Sequence, residues 1–433
     1  MEILSLPNTD IQAAITEVGD TTGIFDDYRM QYRTVPGLRY KETYAPWGRD
    51  NRLPFRLHHL IGSDEVTAQN KLFNVLTAYG NGPEVTCDKA YAYLPHFVRS
   101  NGLPKFVLDQ LTDLKYYYWA LSVVILNRDG DEIVRIVHKD ACYVRLQQAD
   151  RYGRIKHAYY ADWHTDHPTS VERIPLLDET DPLGDLRVRM GLTPGPDGLF
   201  KQRTRERKFA ILLRFPTVGC QYYPVPYYAA MFRGGSYDEK RLISAAKAAK
   251  IRNHASVKYQ IEVNRDYWQH LIAEERITDP LEAQERVKRE KENIRDFVAG
   301  VHNSGKAWIT GYYVDPNGHE VRDIRVHNIE GAKEGGDYAD EINVAANTLC
   351  YADNIHPNLI GAVPGKSQSN NSGSDKRELF TMKQALEKPW KDLVLSPLRL
   401  CFDFNGWPAA KITLPIIQLT TLDQHRDAVA TEL

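Results

Sequence analysis

Residues 337–400 constrain the fold most, because they place a polar, glycine-rich loop between two helices that each need a core to pack on. Ile342, Ala345, Leu349 and Ala352 recur at helical spacing and predict a helix over 337–351. Asn354-Ile355-His356-Pro357 ends it, since the residue before a proline resists the α region. Residues 361–374 hold three glycines, four serines, Asn370-Asn371 and Pro364, and only Ala362 and Val363 suit a core. Such a composition does not offset its own ordering entropy, so a mobile loop is expected unless a partner holds it. A second amphipathic helix is predicted from Ser374-Asp375, with Leu379, Met382, Leu386, Trp390 and Leu393 on one stripe. Pro389 should kink or split it. A polar loop of this length between two good helices is usually functional.

The rest of the chain is long enough, at 433 residues, for a large core or two to three modules. A net charge of −2 argues against coating nucleic acid through bulk charge, while leaving room for local basic stripes. The 25 tyrosines suit interfaces, where one end of the ring is apolar and the other polar. Five scattered cysteines without CxxC pairing fit a reducing compartment better than a disulfide framework or a zinc ribbon. No apolar run approaches the ~18 residues of a membrane span, and the first dozen residues lack a signal-peptide pattern.

Taken in order, residues 1–39 are mixed and polar. Tyr44 to Pro54 is turn-rich, with Trp47 and Asn51 expected to be buried loop anchors, and helices follow up to Tyr79-Gly80-Asn81-Gly82-Pro83. Residues 106–117 read as helix, and 119–127 (WALSVVILN) as a strand returning over 132–137 through Arg128-Asp129-Gly130-Asp131. Strands are predicted at 141–146, 155–163 and 209–215, and 181–207 reads as a surface hairpin or flexible loop. Residues 216–235, with three prolines and four tyrosines, should be a packed elbow. A thin, alanine-rich helix over 237–255 would be about 28 Å long. Its basic residues include Lys240, Lys247, Lys250 and Arg252. A strand at 258–263, a helix at 265–276, a charged helix at 280–298 and a hairpin of 306–314 with 319–326 come next. Residues 412–419 suit a strand supplied by the tail.

This pattern resembles the phage portal proteins, which form the ring through which viral DNA enters and leaves the capsid. The likeness rests on Ile355-His356-Pro357-Asn358-Leu359-Ile360-Gly361, the loop, and the helix interrupted at Pro389-Trp390. It rests also on the Trp47-Gly48…Asn51…Pro54 element and on the order helix, clip, helix. It implies an α+β, portal-type fold: a wing over 1–235, stem helices at 236–255 and 337–360, and a small α/β clip at 256–336. A tunnel loop at 361–378 and a C-terminal wing helix and tail at 379–433 complete it. The resemblance further implies a dodecameric ring at one capsid vertex, non-enzymatic and without cofactor. Such a ring conducts double-stranded DNA in packaging and ejection and contacts the major capsid protein. It docks the large terminase and later the head–tail adaptor, in the virion and, during assembly, in the host cytoplasm. Lys366, Ser367, Lys376 and Arg377 would then face the channel, Lys240, Lys247, Lys250 and Arg252 would give the stem a basic face, and Arg286, Lys288, Arg289 and Glu290 would pair subunits in the clip.

Other chemistry is weaker. Gly365-Lys366-Ser367 invites a phosphate-loop reading, but the required earlier glycine is Ile360 and no apolar strand precedes it. Asp162, His164, Asp166 and His167, with His157, could form a metal site for an enzyme acting on nucleic acid; a solvated turn is the preferred reading and no metal is expected. His58-His59 reads as structural, and Lys201 to Lys208 as a solvated basic hairpin. No Ser-His-Asp, Cys-His or paired-carboxylate set assembles by spacing. Another ring-forming virion part, such as an adaptor, is the remaining rival, and the helix–clip–helix insertion argues against it.

Overall fold

The computed structural model describes residues 21–25, 30–38, 41–254, 259–299, 312–314, 320–328, 337–360 and 373–417, and the account below concerns these. The larger of two compact units combines Gly19–Lys240 with Ile342–Leu433; the smaller is built on Arg241–Glu341.

The larger unit grows around the strand Trp119–Leu126, central in an antiparallel sheet between Ile133–Lys139 and Lys208–Arg214. It is an almost unbroken apolar run because both of its faces are covered. Ala120, Val124 and Leu126 enter one core with Phe106, Leu111 and Leu114 of the helix Leu103–Tyr117 and Trp390, Val394 and Leu398 of the helix Lys388–Phe404. Trp119, Leu121 and Val123 enter a second core with Trp47, Leu57, Ile61 and the elbow residues Tyr222, Tyr228 and Phe232. The elbow is thus packed, as its prolines and aromatics predict. A five-stranded antiparallel sheet runs Arg33–Thr34, Thr43–Ala45, Val144–Gln147, His157–Tyr160, Glu172–Pro175. The tail strand, Ala410–Thr413, pairs with Glu84–Cys87; it starts two residues before the predicted one, whose last two residues lie outside the described ones.

Trp47 and Asn51 are the buried anchors expected, 4% and 1% exposed. Gly48 has φ +85°, and a Cβ there would lie 2.5 Å from the Leu53 Cβ, so the turn between them admits only glycine. One expectation fails nearby. The region read as hairpin or loop contains the helix Pro182–Arg189, started by Asp181, whose carboxylate accepts the Gly184 N–H. Its apolar stripe is short, Leu183 and Leu186 with Met190 just beyond the helix, and does not stand out among the surrounding glycine, proline and charge.

In the smaller unit, Tyr259–Val263 pairs antiparallel with Ile324–Asn328, and Tyr312–Val314 with Glu320–Arg322. Of the predicted hairpin, 306–311 and 319 lie outside the described residues; of the rest, Tyr312–Val314 and Glu320–Arg322 pair as expected, while Ile324–Asn328 turns to a different partner. The helices Arg265–Glu274 and Pro280–Ala299 carry the charge pattern expected for the clip. Arg286 meets Glu290 at 2.8 Å, one turn on, and Glu275 at 2.8 Å. Two of the residues expected between subunits thus already pair within the chain, while Lys288 and Arg289 are exposed.

Candidate functional site

The segments on either side of residues 361–372, which lie outside the described residues, are both fastened to the helix Glu65–Tyr79 by buried charged groups. The helix Asp337–Ala352 ends at Asp353, whose carboxylate pairs with the Lys71 ammonium; their side chains are 1% and 2% exposed. Asn74 donates to the Asp353 carbonyl at 3.1 Å. On the far side of the loop, Lys383 of the helix Gly373–Leu386 donates to Asn74 Oδ1 at 2.6 Å and to the Asn354 carbonyl at 3.1 Å. Asn74 therefore joins Asp353 to Lys383.

The second half of the clamp lies at the helix break. Gly373–Leu386 stops and Lys388–Phe404 begins with Pro389 in its first turn, so the split expected from Pro389 is present. Glu387 sits between the two, at a helix N-terminus where a carboxylate is favoured. It accepts from Lys115 at 2.5 Å and Lys383 at 3.2 Å. Three buried amines thus meet two carboxylates, and aromatic faces support the excess: Lys71 lies 3.1 Å from the Tyr228 ring centre and Lys115 4.1 Å from that of Trp390. Lys391 reaches Gln384 Oε1 at 3.2 Å and the Pro415 carbonyl at 3.4 Å, tying the tail to the same helix. The arrangement holds positions; it presents no nucleophile beside a base.

The inward face of Gly373–Leu386 overturns the expected stripe. Met382 and Leu386 are 62% and 54% exposed, while Lys383, Gln384 and Glu387 are buried. The face turned inward meets Asn74, Thr77 and Lys115, so it must be polar to satisfy them. Sequence reasoning missed this clamp. Its signal is lysines within apolar helical faces, Lys71 beside Asn70 and Asn74 and Lys115 between Leu114 and Tyr118.

Of the residues expected at the channel, Lys366 and Ser367 lie outside the described residues, Lys376 is exposed and Arg377 half-buried. Lys240 corrects the basic stem face. Its ammonium is 4% exposed and pairs with Asp64, the N-cap of Glu65–Tyr79, and with Glu65 at 2.8 Å, anchoring the start of the helix Ser236–His254. Lys247, Lys250 and Arg252 lie further along this helix. The histidine–aspartate run does not converge on a point. Asp162 accepts from His164 Nδ1 at 2.8 Å, His164 stacks on Phe55 at 3.9 Å, Asp166 meets Arg33 at 3.4 Å, and His157 bonds Gln147 at 2.8 Å. His58 and His59 are exposed on the helix Leu53–Gly62, not structural as expected. In the basic run, Arg203 and Arg207 donate to backbone carbonyls and Lys208 pairs with Glu172 at 2.5 Å.

No protein-family profile and no curated protein matches the sequence. Solved structures do. A chain in the neck of a native GTA particle computed with C12 symmetry is 12% identical, with 88% of each chain covered and a TM-score of 0.56. A chain of the virion of a native gene transfer agent particle is 11% identical over 91% of this chain and 89% of that one, at a TM-score of 0.53. The chain has a portal-type fold. An HK97-family phage portal protein from Corynebacterium diphtheriae shares 12% identity over 75% of this chain and 85% of that one, at a TM-score of 0.32. The clamp joins the described segments 337–360 and 373–417 on either side of residues 361–372.

The clamp has a pH signature. Burial pushes the Lys115 ammonium down to about 8, against the opposing pull of Glu387. Between about pH 8 and the ordinary lysine value of ~10.4, the unfolded chain holds a proton that the folded chain has lost. Stability supplied by this group therefore rises with pH across that window, by at most roughly 1.4 kcal/mol per pH unit. Urea unfolding at pH 7.5 to 9.5 should show the wild type gaining on Lys115→Met as pH rises. A constant difference would contradict the assignment.

Proposed function

We propose that the chain is a ring-forming portal component of a phage or phage-like particle. Copies close around an axis at one capsid vertex and conduct double-stranded DNA in packaging and ejection. The ring contacts the major capsid protein, docks the large terminase during packaging and afterwards holds the head–tail adaptor. The observation carrying this reading is the fold agreement over 88% of both chains with a neck chain from a particle computed with C12 symmetry. The buried clamp on either side of residues 361–372 supports it, since a segment expected to work against moving DNA needs fixed ends.

In this reading, residues 361–378 approach the axis, and Lys366, Ser367, Lys376 and Arg377 make weak, sequence-blind contacts with phosphates. A few cations per subunit suit sliding, because many would hold the duplex. Lys247, Lys250 and Arg252 extend this basic character along the stem, and Lys288 and Arg289 bridge neighbouring clips. The ring itself needs no catalysis. Electron microscopy of the purified chain tests the proposal: class averages should show a hollow ring of about a dozen copies. A monomer or dimer at high concentration would overturn it.

A further inference from the structure

A second cluster of charged side chains lies away from the loop clamp, between the helix Leu103–Tyr117 and the end of the strand Ile133–Lys139. His138 Nε2 is 3.2 Å from Asp113 Oδ2 and 3.2 Å from Asp140 Oδ1. The three candidate ligand atoms lie within 4.8 Å of one another, and among the described residues no other group of three such side chains converges in this way. The Asp113 and His138 side chains are each 10% exposed, while that of Asp140 is 57% exposed, so the cluster opens to solvent on the Asp140 side.

Unpaired polar atoms border it. Ser122 stands directly opposite His138 in the strand register, so the two side chains share one face of the sheet. Its hydroxyl is fully buried and has no hydrogen-bond partner. Gln110 lies one turn before Asp113, also fully buried. Its amide donates to the Leu121 carbonyl at 3.1 Å, while its Oε1 has no partner. His138 Nδ1 is likewise buried and unpaired. A histidine that ligates through Nε2 normally has its Nδ1–H held by an acceptor; His138 Nδ1 makes no such bond here, and Ser122, across the register, offers an acceptor oxygen that is still unused.

We infer that Asp113, His138 and Asp140 form a binding site for one divalent metal ion of the zinc class, with solvent completing its coordination. One imidazole and two carboxylates are a mixed N/O donor set suited to such ions. The two separations from His138 Nε2, both 3.2 Å, match the edge, about 3.3 Å, of a tetrahedron with metal–ligand bonds of 2.0–2.1 Å, and Asp113 Oδ2 also accepts the Ala141 N–H at 2.7 Å, which fixes its position. Charge agrees too: a neutral imidazole with two carboxylates carries −2, which a divalent ion cancels. The nearby cations are already engaged, Lys105 by Asp109 at 2.5 Å and Lys139 by Glu172 at 2.9 Å. The ion would staple the helix to the sheet edge, a structural role independent of the loop and departing from the metal-free expectation of the sequence.

Chelator-treated full-length protein titrated with Co²⁺, then with Zn²⁺ in competition, tests this. The expected result is one Co²⁺ per chain with visible absorption bands, displaced by Zn²⁺, and a higher Tm with either ion. Asp140→Asn, at an exposed position, and His138→Gln should each weaken binding by roughly 10-fold or more. Asp162→Asn, beside the exposed His164, should leave binding unchanged. Absence of stoichiometric binding, or equal binding by wild type, Asp140→Asn and His138→Gln, would overturn the site. The cluster would then be an imidazolium held between two carboxylates.

Discussion

Replacing Glu387 by glutamine should destabilise the folded chain by about 3–5 kcal/mol, the usual cost of removing one partner from a buried ion pair. The carboxylate is 2% exposed and accepts from two amines, Lys115 at 2.5 Å and Lys383 at 3.2 Å. Without it, Lys71, Lys115 and Lys383 share one carboxylate, Asp353, and the amide of glutamine supplies no compensating charge. Lys115, already depressed by burial, would have to give up its proton. Lys115→Met in the same background removes the stranded charge, so the double variant should recover roughly 0.5–3 kcal/mol relative to the sum of the single ones. Urea unfolding of the four proteins reads this directly. Additive losses would mean that Lys115 and Glu387 do not act as a pair, and the clamp would lose its centre.

The clamp also shows where reading the sequence succeeds and where it stops. The central strand was legible because eight consecutive residues, Trp119–Leu126, must all be covered. The break at Pro389 was legible because proline cannot donate within a helix. The phase of the helix before it was not. The buried residues described at its end are Lys383 and Gln384, with Glu387 just beyond it, and their partners Asn74, Thr77 and Lys115 lie 272 to 309 residues away. A periodicity argument assigns apolar residues inward and has no access to such partners, so Met382 and Leu386 were placed on the wrong side. Lys240 misled for the same reason: on a helix rich in lysine and arginine it reads as one of a basic face, yet Asp64 and Glu65 draw it inward. Periodicity and turn chemistry made the order of helices and strands legible, and the resemblance to portal proteins made that order portal-type. The residues that would face a channel in the proposed ring were not legible, since such a surface forms only between chains.

Arg145 offers the sharpest test of the larger unit. Its side chain is fully buried with no carboxylate among its hydrogen-bond partners, and burial lowers its pKa to about 10, so it stays charged at neutral pH. Four oxygens hold it: Asn51 Oδ1 at 2.5 Å, the Asn51 carbonyl at 2.7 Å, and the carbonyls of Cys142 and Val144 at 2.9 and 2.8 Å. Asn51, at φ 67°, uses the same Oδ1 to accept the Trp47 N–H at 3.0 Å, so one guanidinium fixes the turn between Trp47 and Leu53. Arg145→Met keeps the packing between Trp47 and Trp163 but strands three carbonyls, each worth about 1–3 kcal/mol when buried unpaired. A loss of roughly 3–5 kcal/mol is expected, the range reached when a buried network is broken. Arg145→Lys should recover little, because a compact ammonium cannot reach four oxygens arranged for a planar fork. Asn51→Asp should be tolerated better than Asn51→Ala, since it keeps the acceptor and adds the missing countercharge. Near-ultraviolet circular dichroism and urea midpoints separate these outcomes. If Arg145→Lys matched the wild type, the fork geometry would be irrelevant and the turn would be held by packing of Trp47 alone.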